Sequence, residues 1–378
     1  MIYRDLGKTG ARISNLGFGT AKLPHTIING KDSIDTEKSL VTINRAFELG
    51  VNYIDTAPYY CNGLCEQIVG KALKGWRNKI YLCAKNLVED ASGAIWRDNL
   101  EKSLRNLDTE YIDNYLMWCI SWDTYKNFID IKDGPMKAVF KAKEEGLIKH
   151  ISFSSHDTPE NLIKLIDTGY YETVLCQYNL LDRRNENVIA HANEKGLGVI
   201  IMGPVGGGRL GKPSESIQNL LPKKAVSSAE IALRFVLSNP GVTCALSGME
   251  SVEMVEENVK TASNLSPLSK DEIDRINESM NENKRLADLY CIGCGYCMPC
   301  PEGVDIPLNF KLMNYHRLYG LTDYARDQYS LIGTNGSNTG KKAEECIKCG
   351  ICETKCTQNL QIRKQLEETA KILGNEIT

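Results

Sequence analysis

Between Leu16 and about Ser263, short apolar runs alternate with stretches whose apolar positions recur every three or four residues, and the alternation repeats eight times. The runs are LGFGT, YIDTA, IYLCAK, IDNYLMW, HISFSS, TVLCQ, GVIIM and TCALS. Helical patterns follow them over 38–49, 65–73, 94–107, 135–145, 159–167, 185–194, 228–237 and 251–262. Strand-then-helix alternation of this kind predicts a parallel sheet with its helices outside. Eight such units in about 250 residues predict a closed (β/α)8 barrel, the TIM-barrel architecture.

Local signals agree with this α/β reading. Asp157 or Thr158 is placed to cap a helix whose first turn holds Pro159, where the missing N–H costs nothing. Gly146, Gly169 and Gly196 each follow a helical pattern, where a left-handed stop is wanted. The opening MIYRDLGKTGARISNLG reads as a hairpin around a Gly-rich turn that plugs the barrel bottom. After Ala262 the pattern changes: 268–289 is polar and helix-forming, and helical patterns return at 308–319 and around 324–331.

The bulk numbers narrow the function classes. A chain of 378 residues suits one large and one small domain. A net charge of -3 gives no basic field for nucleic acid or an anionic membrane. No run of eighteen apolar residues occurs and the opening lacks a signal-peptide pattern, so a cytoplasmic protein is expected.

Eight of the fourteen cysteines stand in two runs of spacing C-x2-C-x2-C-x3-C: Cys291, Cys294, Cys297, Cys300 and Cys346, Cys349, Cys352, Cys356. Three cysteines on a tight loop reach three irons of one 4Fe-4S cubane, and the fourth is aimed at the other cluster. The expected sets are therefore Cys291, Cys294, Cys297 with Cys356, and Cys346, Cys349, Cys352 with Cys300. Gly293, Gly295 and Gly350 let the backbone wrap closely. Zinc, which also takes C-x2-C pairs, is the competing reading, and Thr357 stands where a second proline is expected. Cys61, Cys65, Cys83, Cys119, Cys176 and Cys244 are read mostly as buried free thiols. Residues 301–345 between the runs are too many for a compact β-type ferredoxin, so the cluster domain is expected to be all-α. The organisation becomes 1–265 barrel, 266–285 connecting helix and 286–378 ferredoxin-type domain holding two 4Fe-4S clusters.

Catalytic groups of such barrels come from the C-terminal ends of the strands. The second strand ends at Asp55, its loop carries Tyr60, and the third ends at Lys85. With DTAPYY followed by GKALKGWRNKIYLCAK, and with GFGT, SFSSHD, QYN and GPVGGGRL in order, residues 1 to about 263 resemble the aldo-keto reductase family. CIGCGYCMPCPEGVDIP looks like the ferredoxin-type extension of its iron-sulfur branch.

The resemblance implies an oxidoreductase in which Tyr60 is the general acid while a nicotinamide delivers hydride to a small carbonyl. A Lys85 ammonium beside the phenol favours the phenolate, and Asp55 holds the lysine charged. Family members carry histidine near the end of strand four, where this chain has Trp118. An indole donates one hydrogen bond and relays no proton, so Trp118 is read as a stacking wall for a flat substrate or cofactor, or as simple filler of a dead pocket. His156, after strand five, is the candidate replacement imidazole.

The Gly-rich loop after strand seven, with Gly203, Gly206, Gly207, Gly208 and Arg209, stands where such barrels bind phosphate. In the family, Ser154 and Gln177 would bond the nicotinamide carboxamide and Asn258 the adenine. SGMESVEMVEEN holds four glutamates and no Lys or Arg for a 2'-phosphate, which favours NAD or no selectivity between NAD and NADP. Hydride moves two electrons and a 4Fe-4S cluster one. This leaves two further readings open: a flavin- or partner-linked electron-transfer reductase acting on a non-carbonyl substrate, and a non-catalytic nucleotide-binding subunit.

Overall fold

The eight apolar runs form eight parallel strands of one closed barrel. In chain order the strands are β1 (Tyr3–Asp5), β2 (Arg12–Ser14), β3 (Leu16–Gly19), β4 (His25–Ile28), β5 (Lys31–Ile34), β6 (Tyr53–Asp55), β7 (Tyr81–Leu87), β8 (Ile112–Trp118), β9 (Ile148–Ser155), β10 (Thr173–Gln177), β11 (Gly198–Met202) and β12 (Cys244–Gly248). The barrel runs β10-β11-β12-β3-β6-β7-β8-β9 and closes. In this computed structural model the described residues are all except 29–30, 89, 212–213, 221–226, 265–266, 289–290, 292–294, 335–339, 357–359 and 375–378. Cys294, Gly293 and Thr357 thus lie outside the described residues.

Helices α1 (Thr36–Glu48), α2 (Cys65–Ala72), α3 (Gly93–Leu107), α4 (Pro135–Glu144), α5 (Pro159–Asp167), α6 (Glu186–Lys195), α7 (Ser228–Ser238) and α8 (Val252–Ser263) alternate with the barrel strands. Thr158 is the cap of α5, its hydroxyl accepting from Asn161 N, while Asp157 accepts the amide of Trp122. Gly146, Gly169 and Gly196 all have positive φ, as stops at helix ends require.

Strands β1 and β2 pair antiparallel, and their hairpin closes one end of the barrel. Leu6, Ala11 and Ile13 from it share an interior cluster with Tyr53, Cys83, Leu116, Leu175 and Ile200. Gly7 passes so close to the start of β11 that a Cβ would lie 2.3 Å from Gly198 N. The antiparallel pair β4–β5 was not expected from the eightfold pattern.

Strand register sets the site. Asp55 pairs with Cys83 across β6 and β7, and Lys85 pairs with Leu116 across β7 and β8. Side chains two apart on a strand share a face, so Tyr53 and Asp55, and Cys83 and Lys85, project the same way. All four are buried.

At the start of β10, Glu172 accepts from Lys143 Nζ at 2.6 Å and Ile151 N at 3.1 Å, and lies 2.9 Å from His150 Nδ1. Burial opposes its charge, but His150, Lys143 and the Ile151 amide outweigh it and hold the carboxyl down at about 2. A carboxyl depressed in the folded state contributes stability that is full above its unfolded value, about 4.5, and is lost as pH falls towards 2. Glu172→Gln is therefore expected to lower barrel stability by about 2 kcal/mol at neutral pH, with the gap closing as pH falls towards 2. All four tryptophans precede residue 123, so urea unfolding followed by tryptophan fluorescence reads the barrel.

Contacts divide the chain into two units: Met1–Gly206 with Ala232–Leu268, and Gly207–Ile231 with Ser269–Thr378. Residues 207–231, expected to belong to the barrel domain, group with the second unit. The reason is specific: Arg209 donates to Tyr315 Oη at 2.6 Å and Ser214 Oγ donates to Tyr319 O at 2.6 Å. The second unit is helical, with α9 (Lys270–Asp288), α10 (Ile306–Tyr319), α11 (Thr322–Ser330) and α12 (Ile362–Leu373). Asp305 caps α10 through Leu308 N at 3.0 Å. A clasp beside it joins the two cysteine runs: Lys341 N donates to Gly303 O at 2.9 Å and Asp305 N to Lys341 O at 3.2 Å.

Candidate active site

The centre of the barrel site is a buried ion pair. Lys85 Nζ donates to Asp55 Oδ1 and to Thr56 O, the latter at 3.0 Å, and the two side chains are 1% and 3% exposed. Burial works against the ammonium, but Asp55 first, then Tyr60 and Cys83, hold Lys85 above the ordinary lysine range. The second carboxylate oxygen is also used: Cys83 Sγ donates to Asp55 Oδ2 at 3.1 Å.

Tyr60 opens a short turn, Tyr60–Gly63, after β6, and its amide donates to Ala57 O at 3.2 Å. Its ring lies 4.8 Å from Lys85 Nζ. Lys85 does pull the phenol towards ionisation, as expected. Burial acts more strongly in the other direction, Asp55 adds to it, and Tyr60 stays above the usual tyrosine value. At neutral pH it therefore carries its proton and is in the form of an acid.

Trp118, at the end of β8, packs against both neighbouring tyrosines. Tyr60 meets it edge-on at 5.7 Å between ring centroids, and Tyr59 stacks on it at 5.8 Å. His156 is exposed on the loop after β9, with burial and the charge of Arg184 holding its imidazole below the ordinary range. The structure thus brings Asp55, Lys85, Tyr60 and Trp118 together, and places His156 beside Arg184.

The six scattered cysteines divide three ways. Cys83, Cys176 and Cys244 are buried free thiols as expected, and Cys119 is free but exposed. Cys61 and Cys65 are joined in a disulfide, a correction to the free-thiol expectation. The tight turn is what brings them together: Cys61 and Asn62 have φ of 53° and 55°, and the two Cα atoms are 5.6 Å apart, within disulfide reach.

The residues assigned to a nucleotide stand as follows. Ser154 is buried at the end of β9 and its Oγ accepts from Cys119 N at 2.9 Å. Gln177 ends β10, and its carbonyl accepts from Asn185 at 2.9 Å. Gly203 has φ of 63°, a conformation that strains any side chain, and a Cβ there would lie 3.1 Å from Gln177 Oε1. Asn258 is buried on α8 and donates to Ser247 Oγ at 3.3 Å. Gly206, Gly207 and Gly208 all have positive φ. Arg209, in the second unit, is engaged with Tyr315.

Among the cysteines of the second unit, Cys300, Cys346, Cys349 and Cys352 line one cavity, with Gly350 and Arg363. The fourth cysteine of the first run thus lines a cavity together with three of the second. Gly295 and Gly350 have φ of 76° and 81°. A 4Fe-4S group held by these thiols would supply one-electron transfer.

Sequence reasoning passed over Cys83, Thr56 and Tyr59. The signal for Cys83 was present, since it stands two residues before Lys85 and so on the same face of its strand. Tyr59 and Thr56 carried none, because a loop aromatic and a backbone carbonyl gain their roles only from the turn that aims them.

The model described as "Aldo/keto reductase family" matches residues 15–281, and that described as "4Fe-4S dicluster domain" matches residues 290–362. The chain is 27% identical over 295 residues to L-galactose dehydrogenase of Arabidopsis thaliana, covering 71% of this chain and 90% of that one. Among solved structures, aldo-keto reductase AKR11C1 of Bacillus halodurans, holo form, is similar with a TM-score of 0.63 and 31% identity, over 74% of this chain and 96% of that one. An aldo/keto reductase from Klebsiella pneumoniae in complex with NADP and acetate is similar with a TM-score of 0.60 and 25% identity, over 72% and 93%.

Proposed function

Since this chain belongs to the aldo/keto reductase family and carries a 4Fe-4S domain, we propose that it is an NAD(P)H-linked oxidoreductase that reduces a small carbonyl or oxidises the matching alcohol. Two 4Fe-4S clusters carry electrons in its second unit, on the two crossed cysteine sets, and a partner protein exchanges electrons with them. The observation that carries the barrel reading is the Lys85 ammonium, bonded to Asp55 and lying against the Tyr60 ring.

Each residue has one task. A carbonyl oxygen at Tyr60 Oη accepts the phenol proton as negative charge develops on it. Lys85 stabilises the phenolate left behind, and Asp55 with Thr56 O keeps the ammonium charged and in place. Trp118 forms a wall of the pocket. A bound nicotinamide supplies the hydride.

The nucleotide residues fit such a group. Ser154 Oγ already accepts one bond, so its own hydrogen is left to donate to a carboxamide oxygen beside Gln177. In this reading Asn258 takes the adenine, and Gly203 and Gly206, both at positive φ, let the backbone approach. Near Asn258, Arg45 is taken by Glu256 at 2.7 Å. No Lys or Arg between Ser247 and Asn258 is available for a 2'-phosphate. NADH is therefore expected to outcompete NADPH by about tenfold or more in kcat/KM, one charge-assisted contact's worth.

The test is anaerobic purification followed by NADH and NADPH oxidation with a panel of small aldehydes and ketones. Turnover with no flavin absorption supports the proposal. A flavin band with no nicotinamide turnover replaces it by the flavin-linked reading that Trp118 motivates, and nucleotide binding without any turnover by the binding-subunit reading. His156 is proposed to supply an imidazole to the site; His156→Ala with full turnover removes it from the mechanism.

A further inference from the structure

We propose that Cys83 is a positioning residue of this site: its thiol fixes the Asp55 carboxylate, and thereby the Lys85 ammonium, beneath Tyr60. The inference rests on the reading of Tyr60 as proton donor and adds a residue to it.

The geometry is directional. Asp55 has two oxygens, both shut away from water. Oδ1 accepts from Lys85, and Oδ2 accepts from Cys83 Sγ at 3.1 Å. Asp55 is 2% exposed, so no solvent replaces a donor lost from Oδ2, and a buried carboxylate oxygen left bare is costly. Cys83 is itself fully buried, with burial first and Asp55 second holding it well above the usual cysteine range. It therefore remains a thiol and can only donate towards the carboxylate.

Behind Cys83 a further set of bonds crosses the barrel interior. Tyr53 lies in the same buried interior cluster as Cys83. Asn114 Nδ2 donates to Tyr53 Oη at 3.1 Å and to Thr173 Oγ1 at 3.1 Å, while Asn114 Oδ1 accepts from Ser152. Asn114 thus spends its amide hydrogens on Tyr53 and Thr173, while the Cys83 thiol donates to Asp55. Among the described residues, the side-chain donors to the Asp55 carboxylate, Cys83 and Lys85, both stand on β7, and the Tyr53–Asn114–Thr173–Ser152 network packs in the same interior.

A bland explanation also exists. Cys83 belongs to the apolar interior cluster and has the size of a small core residue. The two explanations predict opposite orders of substitution. If Cys83 only fills space, Cys83→Val is well tolerated and Cys83→Ser, which buries a hydroxyl, is the worse variant. If it is a donor, Cys83→Ser retains function and Cys83→Val does not. Without the donor, more of the Asp55 charge rests against Lys85, draws the ammonium from Tyr60 and opposes the phenolate.

The experiment is a pH-jump absorption titration of Tyr60 in the holoprotein, read as each variant minus the same variant carrying Tyr60→Phe, which removes the signal of the other tyrosines and the clusters. Cys83→Val is expected to raise the Tyr60 midpoint by roughly 0.5 to 1 unit, as loss of one neighbouring interaction does. It is also expected to lower kcat/KM by about three- to tenfold. Cys83→Ser is expected to stay at the wild-type midpoint. A Val midpoint equal to wild type, or a Ser variant behaving as Val does, overturns the inference. Should Cys83→Val not fold, Cys83→Ala is read against Cys83→Ser in the same way. If Tyr60→Phe turns out to keep full turnover, the proposed function fails, while the midpoints still report whether Cys83 positions the pair.

Discussion

Tyr60→Phe is expected to lower kcat/KM for carbonyl reduction by at least about a hundredfold, with nucleotide affinity unchanged. Phenylalanine keeps the ring, so its edge contact with Trp118 and its place over Lys85 persist. Only the hydroxyl leaves, and with it the one proton donor that the Asp55–Lys85 pair is built to serve. A hundred- to ten-thousandfold loss corresponds to about 3 to 5 kcal/mol of transition-state stabilisation, the usual share of a positioned general acid. Steady-state NADH oxidation measures the loss, and quenching of tryptophan fluorescence by NADH measures affinity. Trp118 lies at the mouth and is the natural reporter. Activity within a few-fold of wild type removes Tyr60 from the chemistry and with it the proposed carbonyl reduction.

Cys300→Ser is expected to cost one cluster, cutting iron from about eight to about four atoms per chain. The more telling result is which cluster goes. Cys300 faces the cavity lined by Cys346, Cys349 and Cys352, so its loss is expected to leave the same surviving electron paramagnetic resonance signal as Cys346→Ser. Cys291→Ser is expected to leave the other signal. Cys300→Ser grouping with Cys291→Ser overturns the crossed ligation. Because a cluster draws together two runs separated by residues 301–345, its loss also removes a long-range tie, and thermal unfolding of the second unit is expected to begin earlier.

Much of the fold is legible in one dimension because the period of apolar positions reports burial directly. All eight barrel strands fall on the eight apolar runs, and α5 spans the predicted 159–167. The β4–β5 hairpin falls outside the eightfold apolar pattern, although Asn29-Gly30 in the sequence is itself a turn signal. Residues 207–231 were placed with the barrel because a Gly-rich loop after the seventh strand has the right position for it. Their grouping with the second unit depends on Tyr315 and Tyr319, about a hundred residues away in the chain.

For the site, the division follows the same physics. Residue types and spacings, which are local, determined by themselves that this chain is a barrel with two cysteine tetrads and that Asp55 and Lys85 stand at or near strand ends with Tyr60 on the loop between them. Three matters were decided only by tertiary structure. One is that burial outweighs Lys85 at Tyr60 and keeps the phenol protonated, since desolvation is the sum of everything packed around a group. Another is that Cys61 and Cys65 pair, which depends on a left-handed turn that their identities do not announce. The last is that Cys83 meets the free oxygen of Asp55, because register between two strands, set by the closure of the whole barrel, puts the two residues side by side.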